Sequence, residues 1–212
     1  MRIGILGSGL MGAKLGAIFA RAGHEVTFSY SRSARKLEML ALDAGNGART
    51  GTPHDAARNA NVVLLAVHWS QLDDVLSQAG NLNGKAIVTC MVPLNEANTQ
   101  IVVPNTSSGA EVLAARVPEA NVVCAFNTVP SEVLFGVFER RHQAPRPSLV
   151  YCGDDAQSKD IAAGLIRDAG FDPVDAGPLR TARYTEPFAM LGAQLAYGTA
   201  EGPELIYRFE WL

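Results

Sequence analysis

Apolar positions along the chain alternate between two kinds of spacing. Short continuous apolar runs occur at RIGIL (2–6), EVTFSY (25–30), NVVLLAV (61–67), KAIVTCMV (85–92), NVVCAF (121–126) and SLVYCG (148–153). Runs of this length, rich in β-branched residues, read as strands buried on both faces. Between several of them the spacing changes to three or four. Met11, Leu15, Ile18, Phe19 and Ala22 share one helical face, as do Leu72, Val75, Leu76 and Ala79. Ser108 followed by Glu111 is a capping box that starts another helix. Ile161, Leu165 and Ala169 mark a further one that stops at Gly170. RYTEPFAMLGAQLAYG (183–198) predicts a last helix, with Pro187 tolerable near its start and Gly198 near its end. Strands alternating with helices imply an α/β fold of Rossmann type: a doubly wound, mainly parallel sheet with a small helical C-terminal part. We expect a dinucleotide-binding unit over residues 1–155, and a small part over 156–212 that completes an acceptor site.

The first strand runs straight into Gly7-Ser8-Gly9-Leu10-Met11-Gly12, and the first helix follows. In a strand–loop–helix–strand context each glycine of such a string has a physical task. Gly7 makes the tight turn, Gly9 lets backbone approach a pyrophosphate, and Gly12 lets the helix pack on the strand. The helix N-terminus then offers unpaired N–H groups to the phosphates. An NAD site usually places an acidic residue at the end of the second strand. Here Ser31-Arg32-Ser33 stands there, with Lys36 just after. A carboxylate would repel a 2′-phosphate. A guanidinium clamps one, so the stretch reads as NADP; the bland reading is a solvated basic first turn of a helix.

Ligands in such sheets bind beyond the carboxyl ends of the strands. Those ends also include Ala66-Val67-His68, Val92-Pro93 and Asn127 to Pro130. They hold few acids or bases, and His68 is the only histidine among them. No metal-ligand cluster and no nucleophile–base arrangement can be assembled. No side chain is therefore expected to serve as an essential acid or base. Hydride transfer between two rings needs placement more than proton chemistry.

Composition narrows the classes. The 212 residues carry a formal net charge of −3, and 48% are apolar. No basic face is implied, so nucleic acid is an unexpected partner, and no apolar run approaches a membrane span. Cys90, Cys124 and Cys152 lie in apolar stretches without ligand spacing, which predicts buried, reduced thiols in a cytoplasmic protein. Tyr207, Phe209 and Trp211 alternate near the C-terminus. If that segment is extended, their rings point to one side and need cover from the body or from a second subunit.

Taken together, GILGSGLMG, GHEVTFSYSRS, AVHW, VPL, SSGAEVLAARVPEANVVCAFNTVP, CGDDAQSKDIAAGLIRDAGFDPVDAGPL and ELIYRF resemble the NADPH-dependent deazaflavin reductases. These are also called NADP oxidoreductases dependent on coenzyme F-420 (F420). The likeness runs nearly end to end, and CGDD…DAGPL is its most specific part. It implies a Rossmann domain with a small C-terminal part, usually in a homodimer, and reversible hydride transfer between NADPH and the deazaflavin. Carried over by position, it implies that Ser8, Gly9, Leu10, Met11, Ser31, Arg32, Lys36 and Val67 contact NADP, with Ser131 near it. Asn127, Val129 and Leu205 would lie around the deazaflavin. Around FNT (126–128) the chain is also similar to the reductase domain of metalloreductases that use an ordinary flavin. Two alternatives stay open: an NADPH-dependent reductase of an ordinary flavin or a small imine or carbonyl, and a redox sensor that binds NADP without turnover.

Overall fold

The computed structural model describes residues 1–212. One sheet organises it, with strand order β3-β2-β1-β4-β5-β6-β7-β8. The strands are β1 (Arg2–Leu6), β2 (Glu25–Ser29), β3 (Arg49–Thr50), β4 (Val62–Leu65), β5 (Ala86–Thr89), β6 (Asn121–Ala125), β7 (Ser148–Gly153) and β8 (Asp172–Asp175). All neighbours pair in parallel except β6 and β7, where Cys124 faces Cys152 in antiparallel register. The continuous apolar runs are explained by burial on both faces. Val62, Val63, Leu64 and Leu65 are all buried, and so are Ala86, Ile87, Val88 and Thr89.

Helices cover both faces. On one side lie α1 (Leu10–Arg21), α2 (Ala34–Ala44), α6 (Val133–Glu139) and α7 (Ala156–Asp168). On the other lie α3 (Pro53–Asn59), α4 (Leu72–Ala79), α5 (Gly109–Arg116) and the start of α8 (Ala182–Gly198). The order of the strands reverses between β1 and β4, which opens a crevice at their carboxyl ends.

Four elements carry little sequence signal: β3, α3, α6 and β8. Strand β8, DPVD, contains a proline and two acids, a composition that only a sheet edge tolerates. Helix α3 is held at its start by a capping box between Thr52 and Asp55. The sheet runs across the expected boundary after residue 155. Helix α7 packs back onto the core and β8 pairs with β7. What stands beyond the sheet is α8 and the extended tail.

The tail is fastened through Tyr207 and through the Phe209 N–H, which donates to Ser148 Oγ at 2.9 Å. The Tyr207 hydroxyl accepts from the Val150 N–H at 3.0 Å and lies 2.7 Å from Thr128 Oγ1, while its carbonyl accepts from the Ser148 N–H. Phe188 and Phe209 each pack edge-on against the Tyr207 ring. The three alternating aromatics therefore do not share one environment: Tyr207 is tucked in, and Trp211 is 79% exposed.

Helix α8 is fastened by a buried acid. Glu186, 2% exposed, accepts from the N–H groups of Gly109 (2.9 Å) and Ala110 (3.0 Å) in the first turn of α5. Burial pushes its carboxyl up to about 7, against the downward pull of those two N–H groups; nearby Glu111 adds to the rise. The folded protein thus keeps a proton that the unfolded chain releases near the ordinary value of 4.5. Stability should be highest below that value, fall as pH rises toward 7, and level off above it. The loss should amount to at most about 3 kcal/mol. Urea unfolding between pH 4.5 and 8 should show this slope, and Glu186→Gln should flatten it. An equal slope in both proteins would remove Glu186 as its source.

Candidate functional site

The βα turn after β1 is built by close approach. Gly7 has φ +123°, and a Cβ there would strike the Ala66 carbonyl. A Cβ at Gly12 would fall on the Gly7 carbonyl oxygen and lie 3.2 Å from the Ala66 Cβ. Only a chain without side chains at both places can lay α1 this tightly against β4. Gly9 is different: a Cβ there meets nothing within 4 Å. Gly9 also caps α1 with no side-chain hydrogen bond, and the first turn of α1 carries no acid. The N–H groups of that turn face open space above the loop. They suit a pyrophosphate by hydrogen bonding and by the helix dipole.

Two hollows meet at this loop. The larger, about 810 Å³, is walled by Gly7, Ser8, Gly9, Ser31, Arg32, Ser33, Lys36, Ala66, Val67 and His68, together with Tyr30, Thr52, Gln71 and Asp74. The smaller, about 370 Å³, is walled by Leu10, Met11, Val92, Asn127, Val129 and Ser131, with Leu94, Asn98, Thr128, Ala189, Met190 and Tyr197. Consecutive residues Gly9 and Leu10 belong to different hollows. So do His68 and Asn98, whose Nε2 and Oδ1 lie 3.1 Å apart. A dinucleotide lying along the loop would pass this junction, with one nucleoside in each hollow.

Three expected site residues do not wall either hollow. Gly12 lies beneath the loop, where its role is packing. Pro93 turns its ring onto Gly109 of α5, where a Cβ would lie 3.0–3.2 Å from the ring. Leu205 is half-buried two residues before the Tyr207 anchor. Two others have local duties. The Ser33 hydroxyl caps α2 by accepting from the Lys36 N–H at 3.2 Å, and Ser8 Oγ donates to the Tyr30 carbonyl. His68 is likewise occupied, with Nδ1 2.9 Å from Ser70 Oγ.

The larger hollow is basic where β2 gives way to α2. Arg32 and Lys36 are exposed there, with no ion pair to hold them back. A cofactor carrying a 2′-phosphate fits that chemistry. The smaller hollow is mainly apolar and contains an unusual amide. Neither Asn127 Nδ2 nor Oδ1 has a hydrogen-bond partner, and both are buried. An unpaired buried polar group costs roughly 1–3 kcal/mol, so its retention calls for a function.

Sequence reasoning missed a charged network at the rim of this second hollow. Lys14 Nζ donates to the Ser131 carbonyl (3.0 Å) and lies 3.3 Å from Ser131 Oγ. Ser131 Oγ donates to Glu132, which also accepts from the Tyr197 hydroxyl at 2.8 Å. Burial pushes Glu132 up, but hydrogen bonds from Tyr197, its own backbone and Ser131 outweigh it and hold the carboxyl low. Burial and Glu132 together push Tyr197 up to about 12, so its phenol stays a donor. The only signal was Lys14, the lone charge in α1 before its last residue.

Residues 2–93 match the family model described as NADP oxidoreductase, coenzyme F420-dependent. That span includes β1 to β5, the glycine loop and the basic stretch. Over that span the chain is similar to this family. An F420-dependent NADP reductase of Methanocaldococcus jannaschii is 28% identical over 151 residues, 68% of this chain and 66% of that one. A crystal structure from Arthrobacter sp. FB24, provisionally assigned as an F420-dependent NADP-reductase, superposes over 100% of both chains with TM-score 0.86 and 25% identity. The rat metalloreductase STEAP3 is 28% identical over 188 residues, 87% of this chain, which spans only 36% of that protein's length.

Two variants test the larger hollow. Arg32→Ala should weaken NADPH roughly tenfold or more while leaving NADH nearly unchanged, by titration of nicotinamide fluorescence. Equal losses for the two would take the 2′-phosphate away from Arg32. Gly9→Val should fold normally, because its side chain meets nothing in the protein, yet lose NADPH binding. Normal NADPH affinity in that folded variant would reduce the loop to a mere turn.

Proposed function

We propose that this oxidoreductase transfers a hydride between NADPH and the deazaflavin coenzyme F420. NADPH would be held across the glycine loop with its nicotinamide reaching the smaller hollow, and F420 would lie against that ring at the same hollow. The observation that carries the reading is Asn127. Its donor and its acceptor are both buried and unpaired at an apolar hollow. A deazaflavin presents a flat apolar face and one edge in which N–H and C=O alternate. Met11, Val92 and Val129 would pack on the face and keep water out. The Asn127 amide would satisfy the edge, and its N–H would meet the negative charge that a received hydride places there. NADPH supplies that hydride from its nicotinamide. Placement of the two rings is the chain's contribution, in keeping with the scarcity of free acids and bases at the hollow.

An ordinary flavin carries the same edge, so it is the second reading. The Asn127 amide does not separate the two.

The reading extends to a cytoplasmic homodimer. Tyr184, Leu191 and Leu195 lie along the outer face of α8 at 75%, 55% and 47% exposure, and such a stripe suits a two-fold partner surface. No helix is long and apolar enough to cross a membrane. All three cysteines are free and buried, in keeping with a reducing compartment.

Mixing the protein and NADPH with F420, FMN or a cyclic imine, and following absorbance, tests the acceptor. Oxidation of NADPH with F420 at least tenfold faster than with the others is expected. Faster turnover of FMN selects the second reading, and NADPH binding with no turnover selects the sensor. Asn127→Leu should stabilise the fold by about 1 kcal/mol, because it removes an unpaired buried amide. The same variant should raise the KM for the acceptor and spare NADPH affinity. An unchanged KM would exclude Asn127 from acceptor binding.

A further inference from the structure

The larger hollow holds a carboxylate that phosphate binding does not explain. Asp74, in the first turn of α4, faces the same space as Arg32 and Lys36. A negative side chain beside a 2′-phosphate would weaken the very contact that Arg32 makes. Asp74 is nevertheless held firmly in place. Its Oδ2 accepts from the Tyr30 hydroxyl at 2.6 Å and from Gln78 Nε2 at 2.9 Å, and Tyr30 also lies 3.0 Å from Gln71 Oε1. Its Oδ1 takes no hydrogen bond from the chain.

Tyr30 is itself held in an unusual way. It follows β2 in the left-handed region, φ 59°, and its carbonyl accepts from Ser8 in the glycine loop. That turn carries its side chain off the strand and across the hollow to α4. The phenol therefore bridges the end of β2 and the start of α4, the two elements between which an adenine must lie if the phosphates sit on the glycine loop. Of the adenosine half of the cofactor, only the base carries an amino group. Its two protons need an acceptor, and a free carboxylate oxygen facing the hollow is one.

We infer that Asp74, positioned by Tyr30, reads the 6-amino group of adenine and sets the protein's preference for an adenine dinucleotide. The inference rests on the NADP reading of the larger hollow and adds base recognition to it. It assigns two tasks to two places: Arg32 distinguishes NADPH from NADH, and Asp74 distinguishes adenine from a base with a carbonyl at the same position.

Titration of the full chain with NADPH and with its deamino analogue, in which hypoxanthine replaces adenine, tests this directly. The analogue keeps both riboses, all phosphates and the nicotinamide. The unmodified protein should bind it roughly three- to tenfold more weakly, the range expected for one solvent-exposed hydrogen bond. Asp74→Ala should bind the two cofactors equally, while its preference for NADPH over NADH holds or rises, because a negative charge beside the 2′-phosphate is gone. Tyr30→Phe leaves the carboxylate in place but unclamped, and should lose part of the discrimination. Equal binding of the two cofactors by the unmodified protein overturns the inference, and so does undiminished discrimination in Asp74→Ala. Failure to bind NADPH at all would instead overturn the NADP reading beneath it.

Discussion

Everything at the carboxyl edge of the sheet depends on how closely the chain at Gly7 approaches Ala66. A side chain at Gly7 would strike the Ala66 carbonyl, and one at Gly12 would strike Gly7 itself. With both absent, the first turn of α1 lies directly against the end of β4. The N-terminus of α1 is then aimed along the crevice where the strand order reverses. The larger hollow lies on one side of this turn and the smaller on the other, since Gly9 walls the first and Leu10 the second. Had α1 stood one side chain further away, its N–H groups would no longer face the space between β1 and β4. The division of the crevice into two nucleoside-sized rooms would be lost with them.

The strain in the backbone falls at the same edge. Two bulky residues adopt the left-handed region, Tyr30 with φ 59° and Phe126 with φ 64°. Each stands at the end of a strand, β2 and β6, and each costs on the order of 1–3 kcal/mol. Phe126 is completely buried, with its ring edge-on to Phe19 at 6.1 Å. Packing of that ring offsets the strain and sets Asn127 in the wall of the smaller hollow. Tyr30 is held instead by hydrogen bonds at both ends, from Ser8 to its carbonyl and from its phenol to Asp74. Burial, aided by Asp74, pushes that phenol up to about 12, so it remains a donor throughout the neutral range. One strained turn thus shapes each hollow.

The parts of this arrangement that sequence reveals are those governed by local rules. Continuous apolar runs marked six of the eight strands, helical spacing marked α1, α4 and α7, and Pro187 and Gly198 marked the ends of α8. The glycine string was legible because each glycine answers a backbone constraint that no other residue meets. Strand β8 was hidden because an edge strand needs no apolar pattern, and α6 because VLFGVFE is as apolar as a strand. The site residues that escaped are those joined across long separations. Lys14 meets Ser131, Glu186 meets Gly109, and Tyr30 meets Asp74. No spacing rule links such pairs, because the sheet order, and not the sequence, brings them together. The capping box at Ser108 shows the same limit in small. Ser108 does accept from the Glu111 N–H, but the Glu111 carboxylate accepts from the Ser108 hydroxyl and not from its backbone N–H, and makes a bidentate contact with Arg183 on α8.

On the proposed reading, the two hollows differ in how much they disclose because they would recognise different things. Phosphates are bound by backbone N–H groups, a helix terminus and fixed cations, and each of these demands particular residues at particular positions. A planar ring is bound by apolar surface, which many side chains supply equally well. What makes the smaller hollow specific is therefore a single group, the Asn127 amide, whose cost is visible only once its surroundings are known. Asparagine after an apolar run is unremarkable as sequence. Asparagine with both polar atoms buried and unpaired is not, because folding alone would favour replacing it. The same reasoning applies to Glu186, a buried acid that holds α8 against α5 at a cost in stability above neutral pH. Ala189 and Met190, which follow it in α8, wall the smaller hollow. The wall of the smaller hollow is thus held through an acid buried against backbone N–H groups, and the hollow keeps its shape by the same means that makes α8 costly to dock.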